Sequence, residues 1–171
     1  KKKRDLTQAC FEGIRKSKFD KILIMDGDMQ HYPKYIIPMY NRFNKLNCDV
    51  LIGARPLTKG PNQGLSETRR LASNILIFFF SIFKINTSDP MSGFFIFRKD
   101  IYLKNKKNFF GKGFKILADI LINSKNNLIV KDYLIRFKRR HDDKSKMNLK
   151  ILMILIKFYL ISILKKIQSF F

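Results

Sequence analysis

Short apolar runs that stop abruptly at polar residues, alternating with stretches of helical periodicity, constrain this chain more than any other feature. Residues 21–25 (KILIM) stop at Asp26, residues 49–53 (DVLIG) stop before Arg55, FFIF follows a polar turn, and residues 128–137 form a last such run. A buried strand that delivers polar groups to its C-terminal edge reads this way. Between the runs, Leu6, Ala9, Cys10, Gly13 and Ile14 recur at helical spacing after Asp5 as an N-cap. Pro33 opens a helix reaching about Leu46, and GFKILADILINS reads as another. The expected fold is therefore α/β, with a βαβ-like order of elements.

Two stretches interrupt this order. PLTKGPNQG, residues 56–64, is dense in Gly, Pro and polar residues and reads as a loop of the kind that closes over substrates. Residues 66–85 carry a weak capping signature and then a heavily apolar helix. Composition shifts near Met147, where a basic loop gives way to an apolar tail. The expected domains are residues 1–147 and an appended helix in 148–171.

The string MDGDMQHYP carries the strongest chemical signal. Asp26, Asp28 and Gln30 occupy alternate positions after a strand end, so an extended backbone would place all three on one side. Two carboxylates and an amide oxygen are hard ligands suited to Mg²⁺ or Mn²⁺, which complete their shells with water and phosphate oxygens. A bare DxD is common as a solvated turn. The preceding apolar strand, the Gln at the next alternate position and the helix opening at Pro33 favour the metal site. His31 beside it reads equally as a ligand, a base or a turn residue.

SDPMSGFFIF is the second unusual string, a polar turn with Asp89, Pro90, Ser92 and Gly93 between apolar segments. Asp89 either orients an acceptor or caps the turn. Arg55, Arg69, Arg140 and Lys146 lie in or beside expected loops, where guanidinium forks grip phosphate oxygens, although each alone also reads as a surface charge. Ser73 lies four residues after Arg69 and shares its helix face.

The formal charge is +22, mainly from Lys accompanied by many Asn, Ile and Phe. Such a charge suggests polyanion partners, and compositional bias produces it equally well. A nucleic-acid-binding module would leave the acidic DxDxQ cluster unexplained, and no RNP, zinc-finger or helix-turn-helix signature occurs. Nucleic acid is therefore not an expected partner. Cys10 and Cys48 form no CxxC pair, which points to neither a zinc site nor a disulfide framework. The N-terminus has no apolar signal-peptide region and reads as starting in mid-domain.

Taken together, MDGDMQHYP, the Arg55 loop, RRLAS, SDPMSGF, GFKILADIL and RRHDDKSKM occur in an order similar to that of family 2 glycosyltransferases. More narrowly, residues 5–147 resemble polyprenol-phosphate glycosyltransferases of the dolichol-phosphate mannose synthase type. The resemblance implies a GT-A fold, a Rossmann-like sheet with flanking helices, here without the family's first strand and helix. It implies Mg²⁺ or Mn²⁺ held by Asp26, Asp28 and Gln30 against a nucleotide-sugar donor of the GDP-mannose or UDP-glucose class. Asp28 and Asp89 then stand nearest the chemistry. Arg55, Arg69, Ser73, Ser92, Arg140, Ser145 and Lys146 match positions around the donor and acceptor phosphates.

The implied reaction inverts the anomeric carbon, with a polyprenyl phosphate as nucleophile. Two departures bear on it. Nothing precedes the helix at Lys1, which implies a truncated nucleotide-base pocket and weak donor binding by this stretch alone. Asp143 replaces the glycine of the family's RxxGxSK loop. The processive polysaccharide synthases carry a QxxRW string that is absent here, although another non-lipid acceptor stays open. The tail LKILMILIKFYLISIL falls short of the ~20 apolar residues of a membrane span. Lys150, Lys157 and Lys165 lie near one face, so the expected helix rests in the headgroup region, on the cytoplasmic face of a membrane. A terminal core or dimer helix is the plainer alternative.

Overall fold

The computed structural model describes residues 5–54, 80, 83, 85–113, 115–124, 127–136 and 149–168. Among them, four strands form one mixed sheet in the order β1 (Lys21–Met25), β3 (Phe94–Arg98), β2 (Val50–Ala54), β4 (Val130–Leu134). β3 runs antiparallel to both neighbours, pairing Met25 with Phe94 and Val50 with Phe97, while β2 and β4 are parallel from Val50 with Val130 to Ala54 with Leu134. β1 and β2 thus point the same way, with β3 inserted between them. A plain strand-helix alternation predicts parallel neighbours, and the inserted antiparallel strand is the main departure from it.

Period-two alternation distributes the strand side chains over two cores. Ile22, Ile52, Phe95 and Phe97 face one side, where they meet Phe11 and Ile14 of α1 (Leu6–Lys16), Ile101 and Tyr102 of α3 (Lys99–Asn105), and Leu117 and Ile120 of α4 (Ile116–Asn123). Leu51, Phe94 and Ile96 face the other side, against Met39 and Phe43 of α2 (Ile36–Leu46) and against Ile135. The sheet is therefore sandwiched, as an α/β fold requires. Each fully buried Phe or Ile adds about 1.5–3 kcal/mol relative to an exposed one.

Local signals start and stop these elements as the sequence leads one to expect. Asp5 caps α1, its carboxylate accepting from Thr7 N at 2.9 Å. A 3₁₀ turn, Pro33–Tyr35, leads into α2, which ends at Asn47 in the left-handed conformation. α3 follows β3 without a loop; at seven residues it is too short to show a period.

The tail forms α5 (Leu149–Gln168). One face packs on the domain, burying Phe158, Tyr159 and Ser162, with Tyr159 edge-on to Phe80 and Phe158 against Phe110. Lys165 donates to the Asn108 carbonyl at 2.6 Å. The opposite face exposes Met153, Ile156, Leu160 and Leu164. Among the described residues no helix is long and apolar enough to cross a membrane.

Candidate active site

The C-terminal ends of β1, β2 and β4 and the start of β3 share one edge of the sheet. Carboxyl-terminal strand edges are where open α/β sheets place their ligands. Both unusual strings of the sequence arrive there. Asp26 N donates to the Gly93 carbonyl at 2.8 Å, continuing the β1–β3 ladder one step past Met25 and Phe94. The Asp26 carboxylate then stands against the Gly93 α-carbon. A Cβ at position 93 would meet its Oδ2 at 2.0 Å and its Cγ at 2.3 Å. Glycine is needed at 93 for this close approach.

Beyond Asp26 the chain bends, and the expectation of an extended DxDxQ is corrected. Asp28 Oδ1 accepts the Gln30 N–H at 3.2 Å, and Met29 takes a positive φ of 64°. The Asp28 side chain thereby closes an Asx-type turn, a conformation that competes with extension. Asp26 is exposed, whereas Asp28 and Gln30 are half-buried. His31 is 7% exposed and its ring lies 5.3 Å from that of Phe94, packed on the sheet.

No group of three His, Cys, Asp or Glu side chains converges among the described residues. The donor set at this edge is two carboxylates and an amide, and it fits a hard cation that keeps waters and takes phosphate oxygens as its other ligands. Neither Cys10 nor Cys48 belongs to such a group among the described residues. Burial, with Asp26 adding to it, pushes the Cys10 thiol up, and burial does the same at Cys48.

The segment entering β3 is tied down at several points. Thr87 Oγ1 donates to Asp132 Oδ1 at 2.6 Å, and Ser88 donates to Asp132 Oδ2 through both its N–H (2.8 Å) and its hydroxyl (2.6 Å). Asp89 N donates to Thr87 Oγ1 at 3.3 Å, and the Asp89 carbonyl accepts the Ser92 N–H at 3.1 Å. Ser92 was expected to bind substrate. It is 3% exposed and gives its hydroxyl to the Gly53 carbonyl at 2.7 Å, joining the turn to β2.

Asp89 lies half-buried in this turn, on the stretch that leads to Gly93. Asp132 was missed by sequence reasoning. Its signal was an Asp in the middle of the strand VKDYL, where that residue is disfavoured. Arg55, Arg69, Ser73, Arg140, Ser145 and Lys146 lie outside the described residues. Of the expected set, Asp26, Asp28 and Gln30 follow the end of β1 and Asp89 and Ser92 precede the start of β3, the two segments being joined where Asp26 meets Gly93.

Residues 1–105 match the glycosyl transferase family 2. The chain belongs to glycosyl transferase family 2. Among relatives, it is 33% identical over 132 residues to the dolichol-phosphate mannosyltransferase of Pyrococcus furiosus, covering 75% of this chain and 37% of that protein. It is 26% identical over 157 residues to the dolichol-phosphate mannosyltransferase of Mycosarcoma maydis, covering 87% and 51%. This family 2 chain thus spans about half or less of the length of these relatives.

The fold is that of solved GT-A glycosyltransferases. Glucosyl-3-phosphoglycerate synthase of Mycobacterium tuberculosis superposes with a TM-score of 0.64 at 11% identity, over 95% of this chain and 55% of that one. The same enzyme has been solved with Mn²⁺, UDP-glucose and glycerol 3-phosphate, and in that form the TM-score is 0.60 at 10% identity over the same shares of the two chains. Mannosyl-3-phosphoglycerate synthase of Rubrobacter xylanophilus superposes at 0.60 and 14% identity, over 96% and 51%.

Proposed function

We propose that this family 2 domain is the catalytic part of a membrane-associated enzyme that moves a hexose from a nucleotide sugar to a polyprenyl phosphate, with Mg²⁺ or Mn²⁺ bound at Asp26, Asp28 and Gln30. The observation that carries the reading is the seating of the exposed Asp26 carboxylate on Gly93, which joins the acidic motif to the DPMSG turn at the sheet's ligand edge. The dolichol-phosphate mannosyltransferase relatives support the lipid acceptor. The Mn²⁺ and UDP-glucose of the M. tuberculosis enzyme support the donor and the metal by analogy of fold.

An acceptor phosphate is already ionised at neutral pH, so the reaction needs no strong general base. One phosphate oxygen forms a bond to the anomeric carbon as the bond to the diphosphate breaks on the opposite face, which inverts that carbon. A divalent cation, when bound, would supply positive charge against the departing nucleoside diphosphate. Asp26 and Asp28 would hold it, and Gln30 would offer a third oxygen donor. Arg55, Arg69, Arg140 and Lys146, with the hydroxyls of Ser73 and Ser145, orient the two phosphates, and Asp89 orients the acceptor. The apolar outer face of α5 suits the surface of a membrane, the cytoplasmic face in this reading.

The test is radiolabel transfer by the complete gene product from a panel of nucleotide sugars, with polyprenyl phosphate or glycerol-phosphate-type acceptors. We expect label in an organic-extractable lipid, abolished by EDTA and restored by Mn²⁺ or Mg²⁺. Label found only in a water-soluble product would replace the lipid acceptor with a different one.

A further inference from the structure

We propose that Asp132 is a positioning residue for this reaction, fixing through Thr87 and Ser88 where Asp89 stands at the catalytic edge; the proposal rests on the glycosyl-transfer reading above. Asp132 is half-buried on β4, the outermost strand among the described residues, opposite Ile52 of β2. Three donors converge on its two oxygens, the hydroxyls of Thr87 and Ser88 and the Ser88 N–H, at 2.6–2.8 Å. Hydrogen bonds to an ionised carboxylate are about twice as strong as neutral ones. Such a cluster holds residues 87–88, which belong to none of the described strands.

The contact is directional. The Thr87 hydroxyl proton goes to Asp132, which leaves the oxygen's lone pair for the Asp89 N–H. The Asp89 carbonyl in turn holds the Ser92 N–H, and the Ser92 hydroxyl is anchored on Gly53 of β2. Asp89 is therefore suspended between two strands of the sheet rather than carried on a free loop. Removing one anchor frees the turn to shift, and a shift of about 1 Å in a reacting group costs on the order of 100-fold in rate.

The experiment uses the complete gene product and follows kcat and KM for donor and acceptor alongside hydrogen exchange of the amides at 88–93. Asp132→Ala is expected to lower kcat at least about tenfold with donor KM changed less than about twofold, and to speed exchange at 88–93. Asp132→Asn, which keeps one acceptor oxygen, is expected to recover part of the loss. Asp132→Ala combined with Thr87→Val is expected to be no slower than Asp132→Ala alone, because both break one chain of contacts.

An unchanged kcat in Asp132→Ala overturns the proposal, as do losses that multiply in the double variant. If Asp132→Ala does not fold, Thr87→Val and Ser88→Ala carry the test, and an unchanged kcat in both overturns it. If the wild-type protein transfers sugar to no acceptor, the functional reading fails by itself. Exchange at 88–93 then decides on positioning: amides no faster in Asp132→Asn than in wild type refute it, and faster amides support it.

Discussion

The Asp26 carboxylate lies directly over the α-carbon of Gly93, so close that a methyl group there would overlap its Oδ2 at 2.0 Å. Two segments 67 residues apart in sequence (93 − 26) thus share one contact at the edge of the sheet. The atom in the way is the end of a side chain, so substitution should displace the carboxylate rather than the backbone.

Gly93→Ala is accordingly expected to lower metal-dependent transfer by about 100-fold while leaving the fold intact. Thermal unfolding measured beside activity checks this. An Ala variant of wild-type activity would mean that the carboxylate position does not matter.

Ser92→Ala leaves the buried Gly53 carbonyl without its donor, and a buried unsatisfied group costs about 1–3 kcal/mol. The expected effect is a lower urea midpoint at unchanged m-value. Substrate KM should stay near wild type, since the hydroxyl points into the fold. A raised KM with normal stability would point to the substrate-binding role.

Asp119 offers a pH signature. Burial raises its pKa above the ordinary 3.8 and outweighs the hydrogen bonds that its carboxylate accepts from Gly111 N, Phe110 N and Asn123. The native state therefore holds this proton to higher pH than the unfolded chain, so its contribution to stability is full below 3.8 and declines as pH rises from there through the raised value. The stability of wild type relative to Asp119→Asn should shrink across that window in urea unfolding at a series of pH values. A difference that widens would show the hydrogen bonds winning over burial.

The outer face of α5 tests the membrane reading without disturbing the core. Met153, Leu160 and Leu164 are 54–59% exposed, opposite the buried Phe158, Tyr159 and Ser162. Changing all three to Ser is expected to weaken sedimentation with anionic vesicles by about tenfold or more and to alter the melting temperature little. Deleting the helix is a poorer test, because its inner face is part of the fold. Vesicle binding that survives the triple substitution would contradict an interfacial α5.

β1, β2, α1, α2 and α4 were legible because each couples a clear period to a stop signal: Asp26 after KILIM, Asn47 after α2, Asp5 before α1. The orientation of β3 was not, since FFIF is equally apolar in either direction and strand direction is set by partners distant in sequence. The bend at Asp28 was missed because alternation was weighed above the turn-forming Asp-Gly-Asp triplet. Asp132 escaped because its partners, Thr87 and Ser88, are 45 and 44 residues away. The tail was legible as a helix, while its docked inner face became visible only from the rings of Phe80 and Phe110.

Asp26 and Asp28 are proposed to hold a divalent cation beside a nucleoside diphosphate. Electron paramagnetic resonance of Mn²⁺ titrated into the complete gene product, with and without nucleoside diphosphate, measures this most directly. One bound Mn²⁺ is expected, with an affinity that rises with the diphosphate and is lost in both Asp26→Asn and Asp28→Asn. Mn²⁺ binding that is unchanged in both variants would contradict it.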